Sequence, residues 1–184
     1  MFIGEDFGSK RAGTTAIAYH ENGQIHVLQS IKGEDADKFI RNYLQALQAD
    51  LLFIDAPLSI PKGLYEDNEE VFYRQADRQL QAMSPMFLGG LTSRAVLLKK
   101  QLQKKKVKTY EVYPKALVQE LKLEKHYKKD LAAFMEALQE FCPPLPEVRN
   151  WHQADACLAW LSGFRFTNGE ASSYGNEEEG MVYV

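Results

Sequence analysis

The hydrophobic pattern of the chain predicts an α/β fold, a mixed β-sheet with helices on both faces. Three observations carry this. Asn22-Gly23 sits between two short strand-like runs and is a strong hairpin signal, because both residues tolerate positive φ, so the chain opens as an antiparallel meander. Residues 51–54 are a continuous apolar run, and residues 107–113 are a second buried-strand candidate. A strand reached through a helical crossover runs parallel to its predecessor, and a meander followed by such crossovers gives a mixed sheet.

Taken in order, residues 1–3 are a short apolar strand start leading through Asp6 into a turn-rich stretch, 6–13. Residues 14–19 are β-branched and apolar, and 24–30 alternate through Ile25 and Val27, giving the second and third strands. Phe39, Ile40, Tyr43, Leu44 and Leu47 fall at helical spacing and predict a helix over 36–48. The apolar run 51–54 ends in Asp55, and Pro57 and Pro61 bracket a loop. Residues 69–83 read as a helix, with breaks at Ser84-Pro85 and Gly89-Gly90, after which Thr92 or Ser93 caps a helix to about 105. Beyond the strand 107–113, Pro114 opens a helix to about 123. Residues 130–141 form another, stopped by Cys142-Pro143-Pro144-Leu145-Pro146, and 151–166 a long last one. The tail from Gly169 is rich in Gly, Ser and Glu and ends in a short apolar run, 181–184. One domain, 1–184, holds all of this.

Composition narrows the function classes. A net charge of −3 excludes a generally basic nucleic-acid wrapper but permits a local basic patch. Cys142 and Cys157 form no CxxC pair, so neither a disulfide framework nor a structural zinc site is expected, and free thiols suit a reducing compartment. No signal-peptide pattern opens the chain, and no apolar stretch approaches the roughly 18 residues that suggest a membrane span. The expectation is a cytoplasmic protein with no membrane contact.

In open α/β sheets the site lies beyond the carboxyl ends of the parallel strands. Asp6 and Asp55 each end a strand candidate there. Neighbouring strands lie about 4.8 Å apart, which would set the two carboxylates side by side. Glu111, in Tyr110-Glu111-Val112-Tyr113-Pro114, lies near the end of the third candidate, and Asp155 in the first turn of the last helix. Any one of them alone is more often a turn residue, a cap or an exposed strand position. The four together make a catalytic site the sharper reading. Glu5 points to the opposite face by strand alternation and is left out. Crowded carboxylates need compensating cations or raised pKa values. Oxygen-only donors of this kind suit Mg²⁺ or Mn²⁺, and two such ions about 3.5–4 Å apart clamp the attacking and leaving oxygens of a phosphodiester.

Cationic residues give weaker signals. The stretch 6–14, with Lys10, is a candidate anion-contacting hairpin; it lacks P-loop spacing, and an ordinary β-turn fits it as well. Arg94 and Lys115 follow loops within reach of the site. The lysine-rich run 99–108 reads as a solvated helix face or as a phosphate contact. Arg74, Asp77 and Arg78 share one helix face and suggest a local ion pair. His152 and Asp155 have metal-ligand spacing, but no second histidine pair supports zinc, which leaves His152 as a surface residue. Tyr110, Tyr113, Trp151 and Trp160 read as core.

Several segments resemble one family in order along nearly the whole chain. They are Ile3-Gly4-Glu5-Asp6-Phe7-Gly8 with Gly13-Thr14, Phe53-Ile54-Asp55-Ala56-Pro57-Leu58-Ser59-Ile60-Pro61, Arg74-Gln75-Ala76-Asp77, Gly90-Leu91-Thr92-Ser93-Arg94, Glu111-Val112-Tyr113-Pro114-Lys115, Asp155-Ala156 and Glu179-Gly180. The pattern resembles the predicted nuclease family with a ribonuclease-H-like fold catalogued as domain of unknown function number 429. The resemblance implies a mixed five-stranded sheet of order 3-2-1-4-5 and a metal-dependent hydrolase acting on nucleic acid, DNA or RNA. It implies Asp6, Asp55 and Asp155 as metal-binding carboxylates, with Glu111 a fourth. Glu5 stands where the pattern commonly has an apolar residue, and the segment before Asp77 lacks the cysteine often seen there. Two other classes compete. The opening Asp-x-Gly is shared with actin-like ATPases and sugar kinases, which need a second related domain, and a noncatalytic binding module would keep the fold alone.

Overall fold

The computed structural model describes residues 1–66 and 70–184. It contains a mixed α/β arrangement around one seven-stranded sheet of order β3-β2-β1-β4-β5-β7-β6. β1 (Phe2–Asp6), β2 (Ala16–Glu21) and β3 (Gln24–Gln29) are the expected meander, turning through Asn22 and Gly23, both at positive φ. β4 (Leu51–Asp55) and β5 (Lys108–Val112) continue the sheet in parallel beyond β1. These five strands have the expected order 3-2-1-4-5. Two more complete the sheet where five were expected: β6 (Ser173–Asn176) and β7 (Gly180–Tyr183) form a hairpin, and β7 runs parallel to β5.

β2 starts at Ala16 rather than residue 14 because the two preceding threonines have another task. The Thr14 and Thr15 hydroxyls accept from the N–H groups of Ser9 and Gly8, each at 3.1 Å, and so tie the loop after β1 to the sheet. The helix expected over 69–83 begins at Glu69, outside the described residues, and its described part is only α2 (Gln75–Leu80). It starts late because Arg74 is extended, with its N–H donating to Asp77, and stops early because Gln81 turns left-handed at φ 50°. Thr92 and Ser93 do not cap a helix. α3 (Pro85–Leu88) and α4 (Gly90–Gln103) follow one another, and the two hydroxyls donate back to the carbonyls of Pro85 and Gly89.

Helices cover both faces of the sheet. α1 (Ala36–Ala46) and α4 pack with Ile3, Ile17, Leu52 and Ile54 on one. α5 (Pro114–Glu120), α6 (Leu131–Leu138) and α7 (Trp151–Thr167) cover the other. α7 lies across β1 and β4 at very short range. A Cβ on Gly4 would collide with the Trp160 backbone, and one on Gly163 with the Phe53 ring. Among the described residues no helix is long and apolar enough to cross a membrane.

Candidate active site

Asp6 and Asp55 are the last residues of neighbouring parallel strands and are partners in the register. Paired residues of parallel strands project to the same face, here the face covered by α7. The approach that Gly4 and Gly163 permit brings the first turns of α7 over these strand ends. Its Asn150 cap accepts from the Gln153 N–H, and His152 and Asp155 follow. Asp6, Asp55 and Asp155 thus converge from three elements.

Their charges are felt mutually. Burial, followed by the charges of Asp6, Asp155 and Glu111, raises the Asp55 pKa well above the ordinary carboxylate value. Burial also raises Asp155, opposed by Lys128. Two cationic side chains sit on the cluster. The His152 Nδ1 lies 2.7 Å from Asp6 Oδ2, and that bond raises the histidine pKa. The Lys128 ammonium donates to Asp155 Oδ2, while the Tyr127 hydroxyl donates to Oδ1 at 2.9 Å. Lys128 has a left-handed backbone, φ 58°, unusual for a residue bearing a long side chain.

Glu111 has a different setting. It pairs in register with Ile54, so it projects to the face opposite Asp55. Its Oε1 accepts from Arg74 at 2.6 Å, and its Oε2 from Arg74 and from the Leu58 N–H, both at 2.8 Å. Arg74 is 1% exposed and also binds Asp77 and the Ser59 hydroxyl, so all five of its guanidinium N–H groups are engaged. Ser59 in turn donates to the Glu179 carbonyl, and the Glu179 carboxylate accepts from the N–H groups of Lys62 and Gln75. Four of the segments that carry the family resemblance therefore meet in one buried polar network. The local pair expected for Arg74 and Asp77 is present, whereas Arg78 pairs with Glu70.

The expected cations divide. Arg94 donates to Asp37 and to the Gly8 carbonyl, both at 2.9 Å, and stacks on Phe7 at 4.0 Å, holding the loop after β1 from behind the site. Lys10 pairs with Asp35 at 3.2 Å at the start of α1. Lys115 is exposed in the first turn of α5, just past Tyr113. The lysine run ends at the start of β5, the pole of the sheet opposite the carboxylates. Glu5 is fully buried on the opposite face from Asp6, near Arg94 and Asp37, and neither of its oxygens has a hydrogen-bond partner among the described residues. Sequence reasoning missed Lys128 and Tyr127, which lie in a loop without periodicity, and set His152 at the surface. The His152–Asp155 spacing was the available signal for it.

A cavity of about 290 Å³ opens beside Asp6 and Asp55. Leu80, Met83, Leu88, Leu91 and Tyr113 form much of its wall, and the Arg74 network closes one side.

Among the described residues no group of three or more His, Cys, Asp or Glu stands ready to hold a metal ion as placed. The donor types, carboxylate oxygens alone, are those that a hard divalent cation takes. Asp6, Asp55 and Asp155 lie near enough for their charges to act on one another, no ion pair to Asp55 is found among the described residues, and the two cations paired with Asp6 and Asp155 reach in from side chains about half exposed.

No family model matches the chain, and no curated protein does. Among solved structures, Thermus thermophilus RuvC aligns over 95% of this chain and 98% of its own length, at 18% identity and a TM-score of 0.46.

Proposed function

We propose that the protein is a divalent-metal-dependent nuclease, hydrolysing phosphodiester bonds at the carboxylates of Asp6, Asp55 and Asp155. The observation that supports it most is the in-register pair Asp6–Asp55 on adjacent parallel strands, with Asp155 brought over it by α7. Asp6, Asp55 and Asp155 would hold Mg²⁺ or Mn²⁺, which supplies an activated water and charge stabilisation for the leaving oxygen.

The remaining residues act through position and charge. His152 orients Asp6 through Nδ1 and, while protonated, offsets its charge. Tyr127 fixes the rotamer of Asp155 through Oδ1. Lys128 offsets the charge of Asp155, the role a metal ion held there would take over. Arg94 anchors the loop that follows Asp6. Glu111 acts indirectly: through Arg74 and the Leu58 N–H it locks the chain just after Asp55 and adds to the field that raises the Asp55 pKa. Lys115, exposed two residues past the cavity-lining Tyr113 and without an ion pair among the described residues, is the cation best suited to meet a substrate phosphate, and Lys10 is the next.

The test is cleavage of single- and double-stranded DNA, RNA and hybrids with Mg²⁺, Mn²⁺ or EDTA. Metal-dependent cleavage should fall by about two to three orders of magnitude in Asp6→Asn and Asp55→Asn, because the metal's stabilisation is worth several kcal/mol. No metal-dependent cleavage, or variants as active as the parent, would refute the proposal.

A further inference from the structure

We infer that the cavity beside Asp6 and Asp55 receives a single unstacked nucleobase, so that the substrate is a single strand or an unpaired segment. This rests on the nuclease reading. Away from the carboxylates the walls offer no cation to an anion: the one guanidinium that lines them, Arg74, has no N–H left to donate. The Arg74, Asp77 and Glu111 side of the wall is satisfied internally, and most of the remainder is apolar, with Leu80, Met83, Leu88, Leu91 and Tyr113 its larger side chains. The occupant is therefore neutral and apolar in its bulk. Because the cavity ends on Asp6 and Asp55, it is also attached to whatever those carboxylates act on. In a nucleic acid the group answering to both is the base.

At about 290 Å³ the cavity falls just below the usual range for small-molecule pockets, about 300–1,000 Å³, which suits one ring system and not a stacked pair. A base enters only after leaving its stack, and that is easiest in an unpaired strand.

The rim gives a second, separate indication. Between α2 and α4 the chain turns Met83 and Leu88 toward the cavity while Phe87 stays 62% exposed. Phe87 lies 5.8 Å from the half-exposed Phe72, with the rings tilted by 32°. An exposed aromatic pair beside a cavity is a surface on which the neighbouring base can stack, a contact tolerant of sequence because every base has a π-face.

The experiment measures anisotropy of a labelled 12-nucleotide single-stranded DNA, the same strand with one abasic site, and its duplex, with Ca²⁺ in place of Mg²⁺. Three proteins are compared: the parent, Ala82→Trp, which fills the cavity, and Phe87→Ala at the exposed rim. Single-strand affinity should exceed duplex affinity and drop about tenfold in either variant. A duplex preference, or variants that bind the single strand like the parent, would overturn the base pocket. Should Ala82→Trp fail to fold by circular dichroism, Phe87→Ala decides alone. Cleavage in Mn²⁺ separates the two levels. If both variants cleave like the parent while Asp55→Asn does not, the pocket is wrong and the nuclease reading stands. If the parent neither binds nor cleaves any nucleic acid, both fall.

Discussion

Arg74 is almost inaccessible, yet it belongs to one of the motif segments, Arg74-Gln75-Ala76-Asp77, that stand out in the sequence. Its partners explain why. It joins Asp77, three residues on, to Glu111, which arrives from another strand, and both acids are buried. The local half was legible from spacing. The distant half was not, because no periodicity links residues that meet only through the sheet. Alternation did hold a clue for Glu111: a residue in register with Ile54 cannot share the face of Asp55. Replacing Arg74 with Met strands two buried carboxylates and should destabilise the protein by about 3–5 kcal/mol, read from urea unfolding. Asp55→Asn should act in the opposite sense. It removes a carboxylate that burial and three acidic neighbours disfavour, so the metal-free protein should gain about 0.5–2 kcal/mol in the same assay while losing activity. Lys128→Met removes the cation on Asp155. It should tighten Mn²⁺ binding by about two- to fivefold, the range that partly exposed ion pairs allow, as measured by calorimetry.

At the scale of elements, α7 decides the site. Its apolar run was plain in the sequence, and so was its extent: residues 151–166 were expected and Trp151–Thr167 is found. What could not be read was its distance from the sheet, set by Gly4 and Gly163, since a glycine's role as an absent Cβ appears only once its neighbour is known. Gly163→Ala should push α7 off Phe53. The cost should be about 1–3 kcal/mol, the usual range for overpacking, and nuclease activity measured well below the melting transition should fall as Asp155 is displaced. The tail was the larger miss. Its Gly, Ser and Glu content hid β6 and β7, whose pairing relies on Gly175 and Gly180 at positive φ rather than on β-branched residues. A Cβ on Gly180 would also reach the Ser59 hydroxyl at 2.7 Å, so this hairpin belongs to the Arg74 network.

At the scale of the molecule, the β-β-β-α-β start and the two-sided helical cover were legible because hydrophobic period sets them. The offsetting cations were not, because they depend on loops meeting across the sheet. The same crowding has a consequence for pH. Asp55 and Glu5 both have pKa values raised in the fold, chiefly by burial. The native state therefore holds protons that the unfolded chain releases at about pH 4 to 4.5. Their contribution is fully present below that range and is lost as pH rises through the raised values. Metal-free stability should thus decline as pH increases above about 4.5, as seen in urea midpoints across the acidic range. Mn²⁺ should flatten the decline, because it stabilises the state with ionised carboxylates.

The measurement that bears most directly on the proposed metal centre is a calorimetric titration of the parent protein, Asp6→Asn and Asp55→Asn with Mn²⁺ at neutral pH. Saturable binding to the parent, lost or strongly weakened in both variants while their circular dichroism stays that of the parent, is the expected result. No binding to the parent at millimolar Mn²⁺, or equal affinity in all three, would contradict a metal centre at Asp6, Asp55 and Asp155.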